Sequence, residues 1–287
     1  MRQRTKVFYW MALPGVLLFF AFHTVPALQG VFYSFTDSRG YGDWSFIGLQ
    51  NYIALFTDPI VIGSYRFTIG FAVVATILAN IVSLAVAVGL TANIRFRGFL
   101  RGVFFLPAVM ATLVVGYIFN FLFANALPPV GQALGVDALS TNILGNPSLA
   151  WVGIVVVTVW QACATTIVIY MAGLQTVPED ITEAAMIDGA NAWQRFWRVT
   201  FPLLAPFFTI NMVLSLKNFL MVFDQIVALT AGGPGTSTMS ISYLIYRNGF
   251  TGGQFAYQSA NAVIYFLIIA LLSIVQLRAL RGREVSV

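Results

Sequence analysis

Six long apolar runs, each with almost no charged residue, constrain this chain more than any other feature of its sequence. They are Val7–Phe32, Phe67–Ala92, Phe99–Phe123, Ala150–Leu174, Phe201–Phe223 and Ser259–Leu280. A helix needs about 20 mostly apolar residues to cross a bilayer, and lipid accepts only helices or closed barrels. The runs are continuous, whereas barrel strands alternate over about 10 residues. The sequence therefore predicts an all-α integral membrane protein with six transmembrane helices.

Composition excludes several other classes of protein. Of the 287 residues, 59% are hydrophobic and only 9% are charged, whereas a soluble domain carries about 25% charged residues. A single cysteine, Cys163, and a single histidine, His23, exclude a disulfide framework and a multi-histidine metal site. We therefore predict no metal site. The first run follows a basic start but, at about 25 residues, exceeds the 7–15 of a signal peptide's apolar region, so we expect a retained helix.

The distribution of Lys and Arg predicts the orientation. With six spans, eleven of the fifteen basic residues fall on one side and three on the other, while Lys217 lies inside a span. The eleven are Arg2, Arg4, Lys6, Arg95, Arg97, Arg101, Arg195, Arg198, Arg278, Arg281 and Arg283. The positive-inside rule then predicts that both termini are cytoplasmic. The net charge of +5 thus reflects topology, with the lipid bilayer rather than nucleic acid as its partner.

The segment at about residues 175–201, on the predicted cytoplasmic side, is far more polar than its surroundings. Pro178 can occupy the first position of a helix, although Thr176 and Glu179 could form an earlier capping box. Gly189 is placed to end that helix in a left-handed conformation, and Asn191 can cap a second helix. The predicted helix–Gly–helix hairpin suits a rigid docking element on the inner membrane face. An interfacial amphipathic loop is the alternative.

The same segment resembles the "EAA" signature of permease subunits of ABC importers. Glu183-Ala184-Ala185 is followed after three residues by Gly189, and after nine more by Val199-Thr200-Phe201-Pro202. The stretches FIGLQNYIALFTDP and FDQIVALTAGGPGTST are similar to the binding-protein-dependent carbohydrate-uptake branch, of the maltose and glycerol-phosphate type. The resemblance implies the type I ABC importer permease fold, with residues 1–287 forming a single transmembrane permease domain.

Family membership implies a function and a set of partners. The expected function is translocation of a sugar or sugar derivative across the bacterial cytoplasmic (inner) membrane by alternating access. Expected partners are a second homologous permease, giving a heterodimer, two cytoplasmic ATPase subunits and an extracytoplasmic solute-binding protein. The residues expected to contact an ATPase are Glu183, Ala184, Ala185, Asp188, Gly189 and Ala190.

The chain lacks an ATP-binding loop of its own. ATP and Mg are therefore expected on the partner subunits, with no catalytic residue and no cofactor in this chain. Three rival functions remain open. A self-sufficient secondary carrier would need coupling-ion ligands, which the spans scarcely offer. A membrane enzyme would need a catalytic constellation, and an amino-acid or peptide permease remains possible within the family.

Polar residues inside the spans are the candidates for a substrate pathway. Asn211, Ser215 and Asn218 recur at helical spacing on the fifth run, with Lys217 beside them. Trp160 and Gln161 on the fourth run add an aromatic face and an amide. The alternatives are interhelical hydrogen bonds for the polar residues, and for Lys217 either snorkelling or an ion pair with Asp224.

Overall fold

The computed structural model describes residues 2–92 and 94–281, and the side chains of 10–92 and 94–280. Arg283 lies outside the described residues. The α-helices are α1 (Arg2–Phe19), α2 (Val25–Tyr33), α3 (Gln50–Leu55), α4 (Pro59–Thr91), α5 (Arg97–Val109), α6 (Thr112–Phe121), α7 (Leu127–Leu134), α8 (Ala150–Leu174), α9 (Glu179–Ile187), α10 (Ala192–Arg195), α11 (Phe201–Leu220), α12 (Asp224–Leu229), α13 (Ile241–Tyr246) and α14 (Phe255–Arg281).

Six helical stretches in the described part of the chain are long and apolar enough to cross a membrane. They are Trp10–Tyr33, Pro59–Thr91, Thr112–Leu134, Ala150–Leu174, Ala192–Leu220 and Phe255–Leu280. This confirms the predicted six-helix membrane protein. The fourth span has the predicted bounds, and the predicted orientation of the termini stays a prediction.

The prediction of the third span was wrong. The predicted continuous helix Phe99–Phe123 is broken, because Met110 and Ala111 adopt extended conformations between α5 and α6. Pro107, near the end of α5, lacks a backbone N–H and weakens the helix where it ends. The span instead continues from α6 to Leu134, through residues that were predicted to be loop.

Short π-helical turns interrupt several helices, and prolines account for three of them. Among the described residues, three π turns lie directly before a proline in the first turn of the following α-helix, and these prolines are Pro26, Pro128 and Pro202. A proline ring would clash with the carbonyl four residues earlier, and the wider π turn accommodates it. The Pro128-Pro129 pair, expected in a loop, therefore begins α7.

The chain divides into two compact units. One comprises the chain up to Ile62 together with Leu244–Leu267, and the other comprises Gly63–Tyr243 and the chain from Ile268. The predicted single permease domain spans both.

In the first unit, the amide of Asn51 donates to the carbonyls of Ser34 and Thr36, at 2.9 and 2.8 Å. Helix α3, which contains Asn51, is thereby tied to the end of α2.

The second unit is built around α8, which packs against α4, α5 and α11. The face of α4 toward the core consists largely of small residues, among which Ala72, Ala75 and Ala79 are fully buried. Small residues let transmembrane helices approach closely. The Tyr170 hydroxyl on α8 donates to Asn80 Oδ1 on α4 at 2.6 Å, which satisfies two buried polar groups inside the span.

Close packing of α8 on α11 generates a stability prediction. A Cβ at Gly173 would lie 2.5 Å from the Phe207 ring, whereas a Cβ at Gly70 on α4 would meet nothing within 4 Å. We expect Gly173→Ala to destabilise the purified protein by about 1–3 kcal/mol, because overpacking outweighs the gain in helix propensity. Gly70→Ala, the matched control, gains propensity without the clash. Thermal unfolding in detergent measures both, and equal midpoints would contradict the packing argument.

Candidate functional site

A polar recess lies beside the break between α5 and α6, within the second unit. It has a volume of about 280 Å³ and also borders α8, α11 and the start of α12. Its polar lining residues are Thr112, Thr158, Gln161, Thr165, Asn218 and Gln225. The recess therefore collects hydroxyl and amide groups from four helices at the level of the transmembrane helices.

The helix break creates this polarity. Because the chain leaves the helix after Val109, the carbonyl of Met110 has no partner in a continuous helical ladder. Gln161 Nε2 on α8 supplies one, donating to the Met110 carbonyl at 3.2 Å and to Thr112 Oγ1 at 3.3 Å. A single side chain thus compensates for an irregular backbone inside a span, as an apolar environment requires.

Two polar atoms of the lining residues have no hydrogen-bond partner among the described residues. They are Gln161 Oε1 and Thr158 Oγ1, and both are buried. Buried polar atoms in proteins are almost always paired, so unpaired ones need an explanation. An amide oxygen accepts hydrogen bonds, and a hydroxyl both donates and accepts. The recess therefore offers hydrogen-bonding capacity to a small polar molecule.

The structure brings together only some of the predicted pathway residues. Gln161 and Asn218 both line the recess. Asn211 is buried elsewhere on α11 and donates to the Thr166 carbonyl on α8 at 3.2 Å. Ser215 is also buried, whereas Lys217 lies on the exposed side of the helix. Trp160 packs against Phe119 with tilted rings, whose centroids are 5.3 Å apart, and is partly exposed.

Sequence reasoning missed Thr112, Thr158 and Gln225 as members of this recess. Their convergence depends on the break after Val109, which a continuous third span does not contain. Pro107 was the available signal, because a proline inside a helix disrupts it locally. Gln225 was missed because the fifth span was expected to run through Phe223, whereas the helix ends at Leu220 and α12 starts at Asp224.

The predicted hairpin forms the second candidate site. Its first helix begins at Glu179, and Pro178 stands one position earlier than predicted, as an extended N-cap with φ −64° and ψ 133°. Gly189 ends the helix at φ +82°, in the predicted left-handed conformation. The amides of Gly189 and Ala190 donate to the carbonyls of Met186 and Ala185, both at 3.0 Å. This double closure fixes the helix end and reverses the chain.

The second helix is capped as predicted. Asn191 Oδ1 accepts from the Gln194 amide at 2.9 Å, and Gln194 Oε1 accepts from the Asn191 amide at 3.1 Å, which completes a capping box. Trp193 and Trp197 then pack edge to face, with ring centroids 5.5 Å apart. The hairpin is therefore specified by local interactions at its turn and at the start of its second helix.

The first helix of the hairpin has no buried residue among those described. Ile187 is 87% exposed and Trp193 72% exposed, and Ile181 and Met186 are also exposed. Of the predicted contact residues, Glu183, Ala184, Asp188 and Gly189 are exposed, and Ala185 and Ala190 are half-buried. Large apolar side chains beside carboxylates suit a surface that meets another molecule. That molecule is a protein or the membrane interface.

The GGPG stretch, from Gly232 to Gly235, has a defined backbone conformation. The GGPG stretch forms a turn, with Gly232 at φ +81° and Gly235 at φ +63°. Thr238 closes it by donating to the Gly233 carbonyl at 2.6 Å. Within residues 2–92 and 94–281, no group of three His, Cys, Asp or Glu side chains could hold a metal ion.

The chain is similar to a known protein family and to several permease proteins over most of its length. A family model described as "Binding-protein-dependent transport system inner membrane component" matches residues 79–283. The probable starch degradation products transport system permease protein AmyD of Thermoanaerobacterium thermosulfurigenes is 38% identical, over 99% of this chain and 97% of the relative. The multiple sugar-binding transport system permease protein MsmF of Streptococcus mutans is 39% identical, over 96% and 97%. The sn-glycerol-3-phosphate transport system permease protein UgpA of Brucella abortus is 32% identical, over 96% and 94%.

Solved structures confirm the predicted permease fold. A chain of a bacterial ABC transporter involved in the import of the acidic polysaccharide alginate superposes with a TM-score of 0.85. The two chains are 19% identical, and the match covers 98% of this chain and 96% of that one. The fold is therefore retained at low sequence identity over almost the whole chain.

Proposed function

Because the chain belongs to the family of binding-protein-dependent transport system inner membrane components, we propose that it is the permease subunit of an ATP-driven importer for a sugar or sugar derivative. The observation that carries this proposal is its likeness to sugar permeases over nearly their whole length, with 38% and 39% identity to AmyD and MsmF. A multi-pass membrane protein of this family acts in the bacterial inner membrane.

The polar recess is the proposed part of the solute pathway. Sugars carry many hydroxyl groups, and each hydroxyl can donate one hydrogen bond and accept others. Gln161, Asn218 and the threonines of the recess offer matching amide and hydroxyl groups. A site with few charges and several adaptable hydrogen-bonding side chains suits a neutral polyol. The other predicted pathway residues, Asn211, Ser215, Lys217 and Trp160, lie on the same two helices but do not line the recess.

The hairpin is the proposed link to the ATPases. Its first helix has no buried residue and carries exposed apolar side chains beside the Glu183 carboxylate. The sharp end at Gly189 holds it at a fixed angle to α10, so that motion of a bound ATPase would reach α11 through a stiff joint. ATP binding would then shift the permease between inward- and outward-open states, because it favours one arrangement of the ATPases over the other.

The remaining partners follow from the family. A solute-binding protein would deliver the sugar on the outer face, and a second homologous permease would complete the pathway. Two ATPase subunits would bind ATP and Mg, neither of which this chain is expected to bind. The chain would perform no covalent chemistry.

Purification of the chain alone tests whether ATP hydrolysis belongs to its partner subunits. We expect the purified permease alone to hydrolyse no ATP, because it has no phosphate-binding loop. Co-purification from the native membrane in mild detergent should recover the ATPases, and hydrolysis should rise when the sugar-loaded binding protein is added. Substantial hydrolysis by the isolated chain would disprove the proposal.

Substitutions in the hairpin test the coupling. Gly189→Val places a β-branched residue at a left-handed position, with an expected strain of about 1–2 kcal/mol, and Glu183→Lys reverses the exposed charge. Ala185→Trp crowds a half-buried position. We expect normal membrane abundance, weaker association with the ATPases and loss of sugar uptake.

Gly135→Val is the matched control for this set. Gly135 also has a positive φ, +67°, and an open surrounding, but it ends α7 far along the chain from the hairpin. Backbone strain alone would therefore impair both variants equally. Wild-type uptake by Gly189→Val and Glu183→Lys would leave the hairpin as an interfacial helix, with coupling through another segment such as residues 93–101.

The adjacent residues Asn218 and Lys217 test the recess. Asn218 lines it and Lys217 does not. We expect Asn218→Ala to raise the apparent KM of uptake about threefold to tenfold, the effect of losing about one hydrogen bond to the sugar. Basal ATP hydrolysis should not change. Lys217→Met is measured in the same assay. A raised apparent KM in this variant would show that the pathway extends around α11 to Lys217. An unchanged KM in Asn218→Ala would remove the recess from the pathway.

A further inference from the structure

A second cavity of the Gly63–Tyr243 unit differs in character from the polar recess. It is a groove of about 430 Å³ between α5, the end of α4 and the end of α8. Most of its wall is apolar, and includes Phe104, Phe105, Val168 and Met171. Arg101 is the one charged residue among the described residues that line it. The groove thus combines a hydrocarbon-like wall with a single cation.

The guanidinium of Arg101 is only partly satisfied. Its Nη2 donates to the Leu90 carbonyl, in the last turn of α4, at 3.3 Å. Its Nε is buried and has no hydrogen-bond partner among the described residues. A buried donor without a partner is costly, and more so when it carries charge. A negative charge beside the guanidinium would offset part of that cost.

The place of the groove in the fold restricts what that acceptor can be. Two membrane spans end beside it, α4 at Thr91 and α8 at Leu174. The groove therefore lies at the boundary between the apolar and polar parts of the molecule, on the side that carries most of the basic residues. None of the described lining residues is Asp or Glu, so the counter-charge does not come from the groove itself.

We propose that this groove binds an anionic phospholipid. The headgroup phosphate pairs with the guanidinium of Arg101, which lines the groove, and one acyl chain lies along Phe105, Val168 and Met171. Basic pockets between transmembrane helices on the cytoplasmic side are suited to such headgroups. The site shares no lining residue with the polar recess and none with α9 or α10 of the hairpin. Lipid binding can therefore be measured independently of transport.

Retention of lipid by the purified protein tests the headgroup contact. Native mass spectrometry after addition of phosphatidylglycerol or phosphatidylcholine counts the lipids that remain bound. We expect preferential retention of phosphatidylglycerol, reduced about fivefold in Arg101→Gln, the effect of one basic residue at the membrane surface. Arg97→Gln is the matched control, because Arg97 lies four residues earlier on the same helix and is exposed. Equal loss in both variants would overturn the proposal.

Arg101→Gln removes the charge together with the bond to Leu90, so a second variant separates the charge from the hydrogen bonds of the guanidinium. Arg101→Lys keeps the charge but loses the Nε–H of the guanidinium, and we expect retention between that of wild type and Arg101→Gln. Full wild-type retention by both variants would show that the cation does not hold the lipid.

The apolar wall has its own test. Ala172→Phe should fill the groove and displace the acyl chain, whereas Ala85→Phe, at an exposed position on α4 that does not line it, should retain the lipid. Inorganic phosphate distinguishes a lipid from a free anion. Displacement of phosphatidylglycerol by millimolar phosphate, or retention of phosphatidylglycerol by Ala172→Phe at the wild-type level, would reduce the site to an anion contact and overturn the proposal.

Discussion

Satisfying the backbone inside lipid is the constraint on which the rest of this structure depends. Every N–H and C=O at membrane depth must find a partner within the protein, so the chain crosses as helices and bends only where compensation exists. The π turns before Pro26, Pro128 and Pro202 are three such compensations. The break at Met110 is a fourth, and there the partner is a side chain, Gln161, rather than another turn of backbone.

That substitution of a side chain for backbone also accounts for the polar recess. An amide placed at membrane depth to satisfy one carbonyl brings a second polar atom with it, and Gln161 Oε1 is left without a partner among the described residues. The hydrogen bond that satisfies the Met110 carbonyl thus leaves Gln161 Oε1 as an acceptor that can interact with a solute. The proposed site is therefore a consequence of the broken helix, and a continuous helix in its place would have little reason to carry Gln161.

Local sequence patterns predicted the hairpin better than they predicted the membrane helices. Gly189 and Asn191 act through contacts within a few residues, and both were found in the predicted conformations. The third span failed because apolar composition alone does not distinguish a continuous helix from two helices joined at an extended pair. The recess could not be predicted for the same reason. Thr112, Thr158 and Gln225 are distant in sequence, and they come together only because the helix is interrupted at Met110 and Ala111. The family resemblance predicted the fold correctly but could not supply that local geometry.

Helix α5 connects the two cavities of the second unit. Arg101 borders the apolar groove and Ala108 borders the polar recess, seven residues apart, which is about 10 Å along a helix. A helix moves largely as a rigid rod over two turns, and α5 ends in an extended pair that can change its angle without breaking helical hydrogen bonds. A lipid that holds the Arg101 end of α5 would therefore also restrict the position of Met110, whose carbonyl anchors Gln161. Occupancy of the apolar groove and the shape of the polar recess would then be linked through one short helix.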